Sequence, residues 1–249
     1  TIAPGAAITD LDRFTFQTSA GTETITSITV SLPTNTGVSS ISITSNDDVT
    51  TYGTLSSPIA GSNTVTLTTS ITANTTLTSY KIRVTPLSHA AMPPPPNGPP
   101  YTITGTVTAW AGPNTHAIPS PDTSATVTID NESPAGATAT SGTAGNAQVT
   151  LNWTTSASTD FSRSMVLRWA ASTPGSEVPA EGTDYTVGAV ITTATVAYVR
   201  TTDAASIAVS GVDGAGTGGC GTTALTNGQA YSYKVFQKDS NGNYDVGVA

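Results

Sequence analysis

This sequence has little cysteine and little charge. Its 249 residues include a single cysteine, Cys220, so no internal disulfide can form, and no pair of thiolates can bind zinc or attach haem. Charged residues make up 10% of the chain, against about 25% in an average soluble domain. A disulfide framework and a cysteine-based metal site are therefore excluded, and polar groups other than Lys and Glu must cover the surface.

Basic residues are few and form no cluster. There are 8 Lys and Arg against 16 Asp and Glu, which gives a net charge of −8. Nucleic acids and anionic membranes both attract a basic patch, so neither class of partner fits. No apolar run approaches the roughly 20 residues of a membrane helix, and no signal peptide opens the chain. We expect a mature or excised segment of a secreted protein, without membrane insertion.

Catalytic motifs are missing as well. His89 and His116 stand in Pro-rich segments without a Ser or Cys nucleophile nearby, and neither Gly-x-Ser-x-Gly nor His-Glu-x-x-His occurs. Glu177, Glu181 and Asp184 are the carboxylates that come nearest to a glycosidase set. No aromatic subsite accompanies them, and nothing in the sequence sets their pKa values apart. We predict that the chain is not an enzyme.

Threonine is abundant, at 50 positions. It alternates with apolar residues through the first half, as in Ile28-Thr-Val30-Ser-Leu32 and in residues 64–69. A period of two is the mark of a half-buried strand, and β-branched Thr suits a pleated surface. Seven such strands, separated by Gly, Asn, Asp and Pro turns, predict an immunoglobulin-like β-sandwich over residues 1–130, with a Pro-rich hairpin loop at 86–100.

The pattern stops and then restarts. Residues 131–137 form a turn-rich segment in which Pro134 cannot join a ladder, so we predict a linker there. The alternation resumes with Val149 to Trp153 and with Met165 to Trp169. We predict a second sandwich over residues 138–249. The expected fold class is all-β, with two β-sandwich domains in tandem.

The closing run of the chain has a family likeness. Leu225 is followed six residues later by Tyr231, and the strand Tyr231 to Val235 leads into Asp239-Ser-Asn-Gly242-Asn. This run resembles the last hairpin of bacterial fibronectin type III modules, with Leu225 and Tyr231 as the tyrosine corner. The segments around Trp153 and from Asp160 to Trp169 are similar to the second and third strands of that family.

The resemblance covers about residues 137–249. It implies a fibronectin type III-like sandwich behind an immunoglobulin-like one, as in bacterial cell-surface proteins, and hence a location outside the cell or on its surface. Most such modules hold, space or bind rather than catalyse. The Gly-rich segment 211–221 departs from the family pattern because it lengthens the loop before the tyrosine corner.

Calcium is the metal that the sequence favours. Asp239, Asn241, Asn243 and Asp245 place oxygens at alternate positions, as hard-cation loops do. The spacing departs from the EF-hand loop, because Gly242 is fourth rather than sixth and no Glu follows at the twelfth position. The same residues form the ordinary turn of the resembled family, in which Asn and Gly accept positive φ. A calcium site and a metal-free turn both stay open, and we expect no other cofactor.

Three further features are candidates for contact with a partner. Four consecutive prolines favour a stiff polyproline II arm that either meets a partner or lies back on its own domain. Trp153 and Trp169 are expected in the core, which leaves Trp110 as a contact or sugar-stacking ring. Cys220 stands among glycines, so we expect an exposed thiol, either joined to another chain by a disulfide or unpaired. The four prolines are Pro93, Pro94, Pro95 and Pro96.

Uncharged strands suggest that the chain associates with other chains. Residues 64–69 and 101–108 contain no Lys, the usual guard against edge-to-edge pairing of sheets. We expect a structural subunit of a filament, appendage or layer, or a protein decorating one, that joins copies of itself or another surface protein through strand edges and loops. The alternative is a spacer, or a module that binds polysaccharide or another surface, within a larger secreted enzyme or adhesin.

Overall fold

The computed structural model describes residues 1–33, 37–92, 100–114 and 124–249. In these ranges the chain forms strands and a single 3₁₀ turn at His89–Ala91. The predicted all-β class is confirmed. The described residues divide into two compact units, one with residues 1–92 and 100–130 and the other with residues 131–249.

The first unit contains two antiparallel four-stranded sheets. Their orders are β1-β6-β3-β4 and β5-β2-β7-β8. The strands are β1 (Thr9–Phe16), β2 (Glu23–Leu32), β3 (Val38–Ser45), β4 (Thr51–Ser56), β5 (Gly61–Ala73), β6 (Thr78–Pro86), β7 (Tyr101–Ala111) and β8 (Ala125–Ile129).

One apolar core joins the two sheets of the first unit. The period-two pattern turns Ile28, Val30 and Leu32 inward, where each is fully buried. They pack in one cluster with the inward residues of the other sheet. Phe14 and Tyr80 stack with ring centroids 5.7 Å apart. The outward positions carry mostly Thr and Ser, so the arrangement is sandwich-like with a hydroxyl-covered surface.

The second unit contains a three-stranded and a four-stranded sheet. Their orders are β14-β10-β9 and β12-β13-β11-β15. The strands are β9 (Thr138–Gly145), β10 (Gln148–Thr154), β11 (Phe161–Trp169), β12 (Val190–Ile191), β13 (Ala194–Val199), β14 (Ala208–Asp213) and β15 (Ser232–Asp239).

The four-stranded sheet of this unit is covered on both faces. On one face Trp153 meets Tyr198 edge-on, with ring centroids 4.6 Å apart, beside Val166 and Val235. On the other face Met165, Leu167 and Phe236 form a second cluster with Trp169. Trp153 and Trp169 are 1% and 3% exposed. The prediction that both tryptophans lie in the core is confirmed.

Several strands at sheet edges carry no charge. β4, β5 and β9 each end a sheet, and none of the three contains a charged residue or a proline. Residues 64–69 lie in the edge strand β5, as the edge argument requires. Residues 101–108 do not, because β7 is an inner strand between β2 and β8. For that segment the expectation of an open edge is wrong.

Candidate functional site

The turn after β15 is organised by Asp239. Its Oδ1 accepts hydrogen bonds from the backbone N–H groups of Asn241 and Asn243, both at 2.8 Å, and its Oδ2 accepts one from the Asn243 side-chain amide at 2.7 Å. Gly242 adopts a φ of +98°, a conformation that glycine reaches without strain. These protein donors suffice to form the turn, which is the metal-free alternative for this segment.

Asp245 has a different set of partners. Its Oδ1 accepts the N–H groups of Gln237 at 2.9 Å and Gly247 at 3.1 Å. Its Oδ2 is buried without a partner among the described residues, and a Cβ at Gly136 would lie 3.3 Å from it. Burial raises the pKa of Asp245 to about 7. Of the four predicted calcium ligands, Asp239 and Asn243 are in side-chain contact, whereas Asp245 bonds to Gln237 and Gly247.

Asp160 is a neighbour of Asp239 that the spacing argument missed. Carboxylate oxygens of the two residues lie within 4.8 Å of each other, and the Asp160 carbonyl accepts the Ser240 N–H at 2.9 Å. Carboxylate oxygens are the ligands that hard cations such as calcium prefer. A hard cation bound in this unit would therefore be held by Asp160 and Asp239 rather than by alternate residues of one loop.

Glu177 ties the segment between β11 and β12 to the sheet. Its Oε2 accepts the indole N–H of Trp169 at 2.8 Å, and its Oε1 accepts the backbone N–H of Thr193 at 3.2 Å and also the Thr193 hydroxyl. The Thr193 and Trp169 donors lower the pKa of Glu177 to about 2. This carboxylate stays charged and acts as an anchor.

Glu181 and Asp184 attach the same segment to the end of β15. Glu181 Oε2 accepts the Tyr244 N–H at 2.8 Å, and Asp184 pairs with Lys238. Burial raises the pKa of Glu181 to about 7, whereas Lys238 lowers that of Asp184. The expectation that nothing sets these pKa values apart is wrong. Even so, the three carboxylates have different partners and anchor the segment at separate points.

Cys220 is not exposed. The side chain is 6% exposed and packs in the core with Trp153 and Tyr198, although glycines flank it. A Cβ at Gly211 would lie 2.5 Å from its sulfur, so β14 presses closely on it. Burial raises the pKa of this thiol to about 12. The predicted exposed loop is wrong, and an intermolecular disulfide would require this part of the core to open.

Trp110 is half-buried rather than free. Its ring meets Phe16 edge-on at 5.5 Å and packs against the core of the first unit. A bulge in β7 opposite β2, between Thr29 and Val30, shifts the register here and turns the ring inward. The partner-contact prolines Pro93–Pro96 and His116 lie outside the described residues.

A groove runs between β9 and β15. Its volume is about 340 Å³, and Leu151, Val166 and Val235 form part of its lining. Val235 and Val248 exchange two backbone hydrogen bonds of 2.8 Å, so the residues after β15 lie antiparallel along the edge of that strand. That edge of β15 is therefore already paired within the chain, and the strand edge that borders the groove without such a partner segment is β9.

A buried ion pair connects the two sheets of the second unit. Arg168 of β11 donates from Nη1 to Asp213 Oδ2 of β14 at 2.8 Å, and the Tyr233 hydroxyl of β15 donates to the same oxygen at 3.1 Å. No local sequence signal points to this cluster, because its members come from three strands far apart in the chain.

The tyrosine corner is present as a contact. The Tyr231 hydroxyl accepts the Thr226 N–H at 3.0 Å, and Leu225 is buried.

No described helix has the length and apolar character needed to cross a membrane. A comparison with family models and with curated proteins finds no match. The local motif is confirmed, and membership of the fibronectin type III family stays a prediction.

Proposed function

We propose that this chain is a non-catalytic structural subunit of an extracellular or cell-surface assembly, such as a filament, an appendage or a layer. It associates with copies of itself or with another surface protein through its strand edges. The observation that carries the proposal is β9, an edge strand whose residues are all exposed except Thr140. It contains neither a charge nor a proline.

An edge strand exposes backbone N–H and C=O groups that another chain can pair with. Lys, Pro and bulges are the common protections against such pairing. In β9 the irregularity is confined to the start, where Ala139 has a φ of +52° and the register with β10 shifts. The regular remainder, through Gly145, is available as a template.

The groove beside β9 adds specificity to such pairing. Strand addition derives its affinity from main-chain hydrogen bonds and its selectivity from pockets for alternate side chains. The apolar lining from Leu151 and Val235 offers such a pocket. A neutral strand with apolar residues at every second position, the pattern of this chain's own strands, matches the uncharged rim.

The two units support a finer assignment. We assign the first as immunoglobulin-like and the second as fibronectin type III-like, an arrangement typical of bacterial cell-surface proteins. The Tyr231 corner and the buried Trp153 favour the second assignment. The alternative function, a polysaccharide-binding or spacer module of a larger secreted enzyme or adhesin, is favoured by a polar cavity of the second unit.

The test is a lysine placed on the edge. Thr143→Lys puts a charge in the middle of β9, and Thr24→Lys puts the same charge on an exposed position of the inner strand β2. Analytical ultracentrifugation should show self-association of the unaltered chain and of Thr24→Lys, and at least tenfold weaker association of Thr143→Lys, about 1.4 kcal/mol. A monomeric unaltered chain at high concentration, or equal association of both variants, would overturn the proposal.

A further inference from the structure

We propose that the cavity beside Asp213 binds the hydroxyl groups of a neutral sugar residue. The cavity has a volume of about 110 Å³ and lies within the second unit. Arg168, Asp213, Gly221 and Thr222 contribute to its lining, together with Val187. This site is separate from β9 and its groove, so the inference extends beyond the structural role and does not depend on it.

The Asp213 carboxylate has one oxygen left to bind a ligand. Its side chain is 1% exposed, and Oδ2 accepts hydrogen bonds from Arg168 and Tyr233. Oδ1 has no partner among the described residues. A buried acceptor without a donor lowers the stability of the folded chain. A ligand that brings a donor to Oδ1 relieves this cost.

Gly221 leaves space directly beside that buried oxygen. A Cβ at this position would lie 3.2 Å from Asp213 Oδ1 and 3.5 Å from Val187 Cγ1. Gly221 is not among the positive-φ residues, so its backbone conformation does not require glycine. The absence of a side chain at Gly221 therefore leaves room in the cavity, and this room lies next to the unpartnered Asp213 oxygen.

The charges of the site select a neutral ligand. An incoming ammonium group would meet the Arg168 guanidinium, and an incoming carboxylate or phosphate would meet Asp213. A hydroxyl group both donates and accepts. One sugar hydroxyl can donate to Asp213 Oδ1 while a neighbouring one accepts from Arg168, whose guanidinium has more N–H donors than Asp213 uses. Val187 and Val196 offer apolar surface for the sugar's C–H groups.

Binding can be followed by amide NMR of the whole chain. The probes are D-glucose, D-galactose and D-mannose, with ethylammonium chloride and sodium acetate as charged controls. We expect at least one sugar to give saturable shifts at Gly221 and Thr222 with a dissociation constant of about 1–50 mM, as suits a few hydrogen bonds in a small open site. The charged probes should give none at these residues.

Two variants and a control locate the site. Gly221→Ala places a methyl group against Asp213 Oδ1 and should weaken sugar binding at least tenfold, and Thr222→Val, which keeps the side-chain shape, should weaken it by about threefold. Thr202→Val, at an exposed position that lines neither this cavity nor the groove beside β9, should bind as the unaltered chain does.

Three results would overturn the proposal. The first is the absence of saturable shifts with all three sugars up to about 100 mM, which would mean a water-filled cavity only. The second is unchanged affinity in both Gly221→Ala and Thr222→Val. The third is preferential binding of either charged probe. If Gly221→Ala does not fold, the sugar affinity of Thr222→Val alone decides the question. None of these results bears on the proposed self-association of the chain, which is tested separately.

Discussion

Cys220 shows how burial changes what a side chain can do. Its neighbours in sequence are glycines, and glycine-rich segments are usually loops. The isolated bridge between Tyr198 and Cys220 draws this segment onto β13 and carries the thiol into the core. A thiol that looks reactive from its sequence is thereby made inert, since the thiolate is the nucleophile and burial disfavours it.

The thiol should resist alkylation in the native state. Because burial raises the pKa of Cys220 to about 12, almost no thiolate exists at about pH 8. Iodoacetamide should leave the folded chain unmodified by mass spectrometry and should add one carbamidomethyl group in about 6 M guanidinium chloride. Complete labelling of the folded chain at the rate of a free thiol would contradict the buried position.

Asp239 should be a strong local determinant of stability. Asp239→Ala removes the acceptors of three hydrogen bonds and leaves buried donors of Asn243 unsatisfied. We expect a loss of about 2–3 kcal/mol in the free energy of unfolding, measured by urea denaturation in EDTA. Asp47→Ala serves as a control, because that carboxylate accepts from Ser45 and Val49 on an exposed turn; it should lower the free energy of unfolding clearly less than Asp239→Ala does.

Repeating this comparison in calcium chloride separates the two open alternatives for the turn. An equal loss in EDTA and in calcium would leave Asp239 as a turn residue alone. A larger loss in calcium would identify it as a ligand as well, together with Asp160, since a cation that binds only the folded chain adds to its stability.

At the scale of elements, the tyrosine corner fixes the start of β15. Tyr231→Phe keeps the ring and removes the hydroxyl that accepts the Thr226 N–H at 3.0 Å. We expect a loss of about 1 kcal/mol in the free energy of unfolding by urea denaturation. The matched control is Tyr52→Phe, whose hydroxyl has no hydrogen-bond partner among the described residues. Equal losses in the two variants would mean that the corner contributes nothing specific.

Strands with strong apolar alternation could be predicted, and strands without it could not. β2, β6, β7 and β11 follow from period two. β9 has no large apolar residue, and its strand state depends on pairing with β10. β4 and β14 contain Gly53 and Gly211, and a glycine at such a position indicates a turn when only the sequence is considered. Both glycines serve close packing instead: a Cβ at Gly53 would fall 2.5 Å from the Thr66 carbonyl oxygen.

The same distinction applies to the candidate sites. The Asp239 turn is local in sequence, so its residues could be named from spacing alone. The cluster of Arg168, Asp213 and Tyr233 joins strands that the sheet order brings together, and no window of sequence contains it. Sheet topology decides such long-range clusters, and the pattern of a single sequence does not reveal that topology.

At the scale of the whole molecule, two buried carboxyls set an unusual response to pH. Burial raises the pKa of Glu181 and of Asp245 to about 7, from ordinary values of 4.5 and 3.8. Between the unfolded and folded values the folded chain binds more protons than the unfolded chain. Stability therefore falls as pH rises through this window and levels off above it. We predict a higher urea midpoint at about pH 5 than at about pH 8.

The variant Glu181→Gln tests the cause. The neutral amide can still accept the Tyr244 N–H, so the variant should unfold at a higher urea concentration than the unaltered chain at about pH 8 and show a smaller change between the two pH values. Glu177 and Asp184, whose pKa values are lowered, act in the opposite sense and lose their contribution on acidification below about pH 4.5. A midpoint that rises steadily to about pH 8 would contradict this account.

The scarcity and placement of basic residues also determine how the folded protein meets proteases. Trypsin-like enzymes cleave after Lys and Arg, and this chain has 8 of them. The side chains of Lys81 and Lys238 are 7% and 6% exposed and held in ion pairs. Between Arg83 and Arg163 there is no Lys or Arg. The folded chain thus offers such proteases few cleavage sites. Full digestion releases residues 84–163, which include the boundary between the two units, as one long peptide.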